Sequence, residues 1–229
     1  MADHLNDEER LEAVKKWWQR NGATLVVVVV LTLGGWYGWQ YWQGTRQNQA
    51  EESSYVYMAM LDALTLWEQD ASEENTTRTV AHAETLKKLG KNSLYAVYGA
   101  MTVAKLAVAE GDYANAAAEL QWALEDTDDA AMQALIRLRL AKVEFARDNS
   151  QQALDLLNQT PPESFAALYE ELKGDIFAAQ GKRESAGNAY KMALEKLNDS
   201  DARAQALLEL KLNEVMPEAE KTAAGEDEA

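Results

Sequence analysis

The feature that most limits the folds open to this chain is a stretch without charged residues between Arg20 and Arg46. Residues 23–42 read ATLVVVVVLTLGGWYGWQYW. In a helix that advances by about 1.5 Å per residue, about 20 apolar residues cross a hydrocarbon core of roughly 30 Å. Valine is a poor helix former in water, but in lipid the backbone has no alternative to internal hydrogen bonds. The sequence therefore predicts one transmembrane helix over residues 22–44.

The alternative for this stretch is a cleaved signal peptide, which has a shorter apolar core and a small-residue cleavage site. The run ends instead in aromatic side chains of the kind that anchor at a lipid–water interface: Trp36, Tyr37, Trp39, Tyr41 and Trp42. Trp17 and Trp18 supply a second aromatic pair on the other side of the run. This pattern favours a retained membrane anchor over a cleaved peptide.

Basic residues flank the predicted span unequally. Those that precede it are Arg10, Lys15, Lys16 and Arg20, whereas only Arg46 follows it closely. Because basic flanks stay in the cytoplasm, we expect a cytoplasmic amino terminus and a bulk domain outside, which in a Gram-negative bacterium is the periplasm. Residues 1–21 are then a cytoplasmic amphipathic stub that lies along the inner leaflet, with its lysines near the headgroups.

Two glycines within the predicted span form a G-x-x-x-G pattern, Gly34 and Gly38. Such a pair allows a second helix to approach the backbone closely. Glycine is also common in membrane helices that use it for no contact, and the pattern is short. A packing role and a chance occurrence therefore both remain open.

The rest of the chain reads as a series of helices. The whole sequence has only three Pro and twelve Gly, and no segment shows sustained two-residue alternation, so an all-α chain is predicted. Residues suited to helix ends cluster at 72–76, 90–93, 111–112, 126–129, 148–150, 160–164, 181–182 and 198–201. We expect a domain over residues 45–216 and a disordered acidic tail over residues 217–229.

A repeat emerges when the helix ends are aligned on Gly111, Asp148 and Gly181, which lie 37 and 33 residues apart. Small residues recur around them, as in GDYANAAAELQWALED and GKRESAGNAYKMALEK. This pattern resembles the tetratricopeptide repeat, whose period is about 34 residues. We predict a tetratricopeptide-like α-solenoid of three to four helical hairpins, the first divergent, plus a capping helix over residues 202–215.

Composition narrows the classes of function. The chain carries 22 Lys and Arg against 38 Asp and Glu, a net charge of −16, and only four of those basic and five of those acidic residues precede residue 45. An acidic outer domain argues against nucleic-acid binding. The chain has no Cys, its two His are His4 and His82, and it contains no phosphate loop or nucleophile elbow. We therefore expect no catalytic residue, no metal and no cofactor.

Binding between proteins remains, and the first helix of each hairpin lines the concave face of a tetratricopeptide stack. Aligned on the repeat, the candidate groove residues are Tyr98, Met101, Lys105 and Val108, then Leu135, Leu138, Lys142 and Phe145, then Leu168, Glu171, Asp175 and Ala178. Apolar side chains in an open groove suit an extended or helical apolar partner. The alternative for many of them is ordinary packing between repeats.

Five segments together resemble a known family: residues 12–22 (EAVKKWWQRNG), 38–43 (GWQYWQ), 135–145 (LIRLRLAKVEF), 172–190 (LKGDIFAAQGKRESAGNAY) and 207–215 (LLELKLNEV). The arrangement is similar to the YfgM-like family of ancillary subunits of the bacterial SecYEG translocon. The resemblance implies a non-enzymatic, single-pass inner-membrane protein beside the translocon. It further implies a membrane-anchored parvulin-like periplasmic chaperone as partner and the transfer of translocated client proteins to the periplasmic chaperone network. A periplasmic scaffold for envelope or secretion-machine assembly is the alternative.

Overall fold

The computed structural model of the chain describes residues 3–90, 93–197 and 201–216. The predicted acidic tail, residues 217–229, lies outside them. The described backbone contains no strand and forms nine α-helices: α1 Asp3–Gln69, α2 Glu73–Leu89, α3 Leu94–Ala109, α4 Tyr113–Glu125, α5 Ala130–Ala146, α6 Ser150–Leu157, α7 Glu163–Ala179, α8 Arg183–Glu195 and α9 Ala202–Val215. The chain divides into two units, Met1–Glu52 and Ser53–Ala229.

Helix α1 is longer than the sequence pattern indicated. The amphipathic stub, the span and the first helix of the outer domain were expected as separate segments, but the backbone is helical through all three. No Pro occurs before residue 161, and each of the five Gly in residues 3–69 costs only about 1 kcal/mol in a helix. Nothing in residues 3–69 is therefore strong enough to end the helix.

Two of the predicted helix breaks end earlier than expected. Helix α2 begins directly after Ser72, and α7 directly after Pro162. Asn, Thr and Ser are tolerated in the first helical turn, where backbone N–H groups have no partner within the helix. Asn75, Thr76 and Ser164 consequently lie inside helices rather than in breaks.

The second unit is a stack of four helical hairpins. Residues 53–69 of α1 pair with α2 through a buried cluster that includes Met60, Ala83 and Leu86, and Val103 of α3 closes the same cluster. The following hairpins are α3 with α4, α5 with α6, and α7 with α8. The prediction of an all-α tetratricopeptide-like stack is confirmed. The divergent first hairpin, formed by residues 53–69 and α2, brings the number of hairpins to four.

The turns inside three of these hairpins share one geometry. Gly111, Asp148 and Gly181 have φ angles of 77°, 64° and 71°. The residue after each donates its backbone N–H to the carbonyl oxygen five residues earlier, as in Asp112 to Ala107 at 2.8 Å and Lys182 to Phe177 at 2.9 Å. This is the Schellman ending of a helix, which requires a left-handed residue at that position. Alignment of the repeats on these positions is therefore structurally correct.

Small residues let the two helices of a hairpin cross closely. Gly174 of α7 shows this best, because a Cβ atom built there would lie 2.5 Å from Cδ1 of Tyr190 on α8. Tyr190 is 3% exposed, and its hydroxyl donates to Oδ1 of Asp175 at 2.9 Å. The ring therefore fills the space that a side chain at position 174 would need.

Helix α9 closes the end of the stack. Its buried residues Leu208, Leu212 and Val215 pack with Ala186 and Tyr190 of α8. Arg183 also donates from Nε to the carbonyl oxygen of Val215 at 3.0 Å. An open solenoid exposes the apolar face of its last hairpin, and α9 covers that face as the sequence predicted.

Candidate protein-binding groove

A cavity in the second unit lies on the face formed by α1, α3 and α5, which are the first helices of successive hairpins. Its volume is about 640 Å³. The residues that line it are Tyr57, Met60 and Leu61 of α1; Tyr98, Met101, Thr102, Ala104, Lys105 and Val108 of α3; Tyr113 and Leu120 of α4; and Leu135, Arg139, Lys142, Val143 and Ala146 of α5. We call this cavity the groove.

Aromatic rings form the end of the groove nearest α1. The ring of Tyr57 lies 5.8 Å from that of Tyr98 and 5.2 Å from that of Tyr95, measured between centroids. These separations are typical of favourable aromatic pairs. Burial, followed by the neighbouring Tyr98 and Tyr95, raises the pKa of Tyr57. The phenol therefore stays neutral and offers a hydrogen-bonding group at an otherwise apolar wall.

The charged side chains that line the groove are Lys105, Arg139 and Lys142, and all three are basic. The Lys105 ammonium forms an ion pair with Glu68 of α1 and lies 5.8 Å from the centroid of the Trp67 ring. Arg139 and Lys142 are exposed and form no ion pair with any residue that the structure describes. A basic rim thus borders an apolar floor.

The predicted groove residues divide by helix. All four from α3 line the groove: Tyr98, Met101, Lys105 and Val108. Of the four from α5, Leu135 and Lys142 line it, whereas Leu138 is 4% exposed and belongs to a buried cluster with Tyr169 and Leu172. Phe145 packs against that same cluster. The packing alternative left open by the sequence describes Leu138 and Phe145 better.

The predicted residues of α7 do not line the groove. Leu168 is exposed, and Ala178 packs against the cluster beneath α9. Glu171 and Asp175 accept hydrogen bonds from the Lys211 ammonium of α9, with Nζ 2.7 Å from Oε1 of Glu171 and 2.8 Å from Oδ1 of Asp175. Lys211 of the closing helix therefore binds both acidic residues that were predicted for the groove on α7.

Among the groove-lining residues that sequence reasoning missed are Tyr57 and Arg139. Tyr57 lies in the divergent first hairpin, where no repeat alignment was possible. Arg139 follows Leu138 directly, and one residue rotates a side chain by about 100° around a helix. In the sequence, the charge of Arg139, rather than the apolar side chain of Leu138, could have identified the side of α5 that faces the groove.

The first unit contains a helix that is long and apolar enough to cross a membrane, over Val14–Tyr41, and an 18-residue window within it has a mean hydropathy of 1.6 and is only 6% buried. Val28 is 55% exposed and Leu31 is 70% exposed. The Thr32 hydroxyl donates to the carbonyl oxygen of Val28 at 2.8 Å, which satisfies a polar group that lipid could not. The helix suits a hydrocarbon environment.

The proposed packing and anchor residues lie on the surface of this helix. A Cβ atom at Gly34 or Gly38 would meet nothing within 4 Å, so the glycine face is open. The exposed anchor residues are Lys15, Lys16, Trp17, Trp18, Arg20, Trp36 and Trp39. The Trp42 side chain lies outside the described residues. Trp18 packs over Gly22, because a Cβ atom built at Gly22 would lie 3.1 Å from Cε2 of the Trp18 ring.

The described residues also limit the chemistry of the second unit. No group of three or more His, Cys, Asp or Glu among them is placed to hold a metal ion. Of the acidic cluster at 125–129, Asp129 caps α5 by accepting from the Met132 backbone N–H at 2.7 Å. This carboxylate therefore has a structural role at the start of α5.

The fold and the groove define the class of protein as a stack of tetratricopeptide-like hairpins that follows a helix long and apolar enough to cross a membrane. A family model described as a tetratricopeptide repeat-like domain matches residues 15–216. Proteins named "Ancillary SecYEG translocon subunit" align over 93% of this chain. Those from Haemophilus influenzae, Escherichia coli and Neisseria gonorrhoeae are 30%, 28% and 29% identical and are covered over 99%, 98% and 99% of their own lengths. The chain belongs to this tetratricopeptide repeat-like family of ancillary SecYEG translocon subunits.

Proposed function

We propose that this chain is a non-enzymatic inner-membrane protein that associates with the SecYEG translocon. The observation that carries the proposal is the end-to-end similarity to proteins named as translocon subunits, which includes the anchor as well as the repeats. Similarity confined to the repeats would point only to a widely used fold. The apolar helix Val14–Tyr41 supports a membrane location.

In this proposal the chain crosses the membrane once, with its amino terminus in the cytoplasm and its second unit in the periplasm. The support is the unequal distribution of basic residues, with Lys15, Lys16 and Arg20 on one side and Arg46 on the other. The anchor holds the groove near the channel exit. Tethering raises the local concentration of the groove around emerging chains without any added contact.

We further propose that a membrane-anchored parvulin-like chaperone is a partner and that the pair passes translocated proteins to the periplasmic chaperone network. The groove supports this proposal, because its apolar floor can hold a segment of another protein. The surplus of acidic residues elsewhere keeps such a domain soluble beside unfolded chains.

The test is photocrosslinking within native membranes. A photoreactive amino acid replaces Gly34 or Gly38 in the full chain, and Val29, on the opposite side of the helix, serves as the matched control. We expect adducts with a translocon subunit or the membrane-anchored chaperone from the glycine positions and weaker adducts from Val29. Equal adducts from all three positions would assign no packing role to the glycines.

Normal expression without any translocon or chaperone adduct would contradict the proposal. The alternative is a scaffold for envelope or secretion-machine assembly. A scaffold would yield adducts with components of the cell wall or of a secretion machine, and affinity purification in mild detergent would recover the same components. The two functions therefore differ in the identity of the crosslinked chain.

A further inference from the structure

We propose that the groove selects acidic amphipathic segments, in which carboxylates flank apolar side chains. This inference deepens the proposed function and rests on it, because it states which segments of a partner or client the groove would hold. The chain has 38 acidic and 22 basic residues. Even so, the charged side chains that line the groove are Lys105, Arg139 and Lys142, all basic.

The two lysines occupy the same place in successive repeats. Lys105 lies six residues before Gly111, and Lys142 lies six residues before Asp148, where Gly111 and Asp148 are the equivalent left-handed turn residues. Equivalent positions on α3 and α5 repeat along the concave face. The lysines therefore form a short row that follows the direction of the stack, in which Lys105 is already paired with Glu68 of α1.

This row ends where the closing helix begins. The next equivalent position is Asp175 of α7, which is paired with Lys211 of α9. Glu171 is bound to the same ammonium at 2.7 Å. The carboxylates nearest in sequence register are thus paired with Lys211 within the stack and not with Arg139 or Lys142.

Arg139 and Lys142 lie three residues apart on α5 and share one face of the helix. Both are exposed, and neither has an ion-pair partner in the part of the chain that the structure describes. Two neighbouring cations repel each other until a carboxylate lies between them. An acidic residue of a bound segment would supply that carboxylate.

The floor supplies the second half of the recognition. Met101 is 6% exposed, Leu135 is half-buried and Val108 is 39% exposed. A cavity of about 640 Å³ lies within the range of preformed ligand sites. Apolar side chains of a segment can enter this space while its carboxylates reach the rim.

The net charge of −16 does not override this local pattern. Exposed charges separated by more than about 8 Å are largely screened at physiological ionic strength. A bound segment therefore responds mainly to the rim residues that it contacts. Charge complementarity between the segment and these rim residues determines which segments bind and how fast they associate.

The experiment uses the full chain in phosphatidylcholine nanodiscs and two fluorescein-labelled helical peptides. The peptides share the same Leu and Phe residues and carry either Glu or Lys at the remaining positions. Fluorescence anisotropy measures affinity, and empty nanodiscs give the contribution of the lipid. We expect the Glu peptide to bind about tenfold more tightly than the Lys peptide, with a preference that decreases as salt is added.

Charge reversal in the groove tests the assignment. Arg139→Glu with Lys142→Glu should weaken the Glu peptide about tenfold or more and strengthen the Lys peptide. The matched control, Lys191→Glu with Arg203→Glu, makes the same charge change at exposed positions outside the groove and should leave the preference intact. If the reversed variant loses helical circular dichroism, Arg139→Gln with Lys142→Gln replaces it and should abolish the preference.

Equal affinity for the two peptides, or an equal loss in the control variant, would overturn the inference. The proposed function has a separate readout, which is crosslinking from Gly34. Retained translocon adducts without peptide selectivity would reject only the acidic specificity of the groove. Peptide selectivity without translocon adducts would reject only the proposed association.

Discussion

Lys211 of α9 joins the closing helix to Asp175 of α7, with Nζ 2.8 Å from Oδ1 and 3.0 Å from Oδ2. The same ammonium lies 2.7 Å from Oε1 of Glu171, and the Tyr190 hydroxyl also donates to Oδ1 of Asp175. A single lysine thus pairs with two carboxylates of α7, and the three groups together keep one net negative charge. We call these four residues the clasp.

Removal of the Lys211 charge should destabilise the second unit. In Lys211→Met, Glu171 and Asp175 would face each other without a cation, and we expect the free energy of unfolding to fall by about 1–2 kcal/mol because the groups are partly exposed. Urea denaturation of the full chain in mild detergent, followed by circular dichroism, measures the change. Lys191→Met, at an exposed position on α8, should change stability by less than about 0.5 kcal/mol.

The clasp should also weaken at alkaline pH. Burial would lower the pKa of Lys211, but hydrogen bonds with Asp175 and Glu171 raise it above 10.5. Burial and then the Asp175 hydrogen bond raise the pKa of Tyr190 above 10.0. Both groups hold their protons more tightly in the folded chain, so their stabilisation is complete below the unfolded values and decreases as pH rises through the folded ones.

Unfolding in urea at pH values on either side of this window checks the alkaline effect. The free energy of unfolding should fall less steeply with pH in Tyr190→Phe with Lys211→Met than in the natural chain, because neither titrating group remains. If the free energy of unfolding decreased equally steeply with pH in the two proteins, Lys211 and Tyr190 would not account for the loss of stability above pH 10.

The order of helices and the phase of the repeat were predictable because they depend on local chemistry. Gly111, Asp148 and Gly181 occupy the left-handed turn that ends a helix, and such positions favour Gly and Asp. Small residues at matching distances, such as Ala116 and Ala186, are fully buried at helix crossings. These signals lie within about ten residues of one another and can be recognised without knowledge of the tertiary structure.

The parts that could not be predicted depend on contacts between distant segments. Nothing near Asp175 in sequence indicates that Lys211, 36 residues away, pairs with it. Predicting which face of α5 lines the groove would require knowing that Leu138 packs with Tyr169 and Leu172 of α7. One position of helical register separates that buried leucine from Arg139 in the groove, and a repeat template is not accurate to one position.

Gly174 should not tolerate a side chain. In Gly174→Ala the new methyl would lie 2.5 Å from Cδ1 of Tyr190, and the ring is buried and tied to Asp175 by its hydroxyl. We expect the free energy of unfolding to fall by about 1–3 kcal/mol, as in other overpacked cores. Gly90→Ala is the control, because its Cβ would lie 3.5 Å from that of Ser93, an ordinary contact. Equal stability of the two variants would show that Tyr190 can move.

The left-handed turns predict two substitutions of opposite effect. Asp148 has a φ of 64°, where a Cβ atom is unfavourable. Asp148→Gly should therefore raise the free energy of unfolding by about 0.5 kcal/mol, after the greater entropy of Gly in the unfolded chain is included. Gly111→Ala, at the equivalent position, should lower it by about 1 kcal/mol. Thermal unfolding of both variants measures the pair, and two shifts of the same sign would contradict it.

The proposed topology predicts which cysteines a membrane-impermeant maleimide can label. The chain has no Cys, so Glu12→Cys before the span and Ala109→Cys in the second unit each place one reactive thiol at an exposed position. With the basic flank of Lys15, Lys16 and Arg20 in the cytoplasm, Ala109→Cys should react in intact spheroplasts and Glu12→Cys only after lysis. Mass shift on a gel measures the labelling, and the unsubstituted chain is the background. The reverse pattern would place the groove in the cytoplasm, where it could not meet translocated chains.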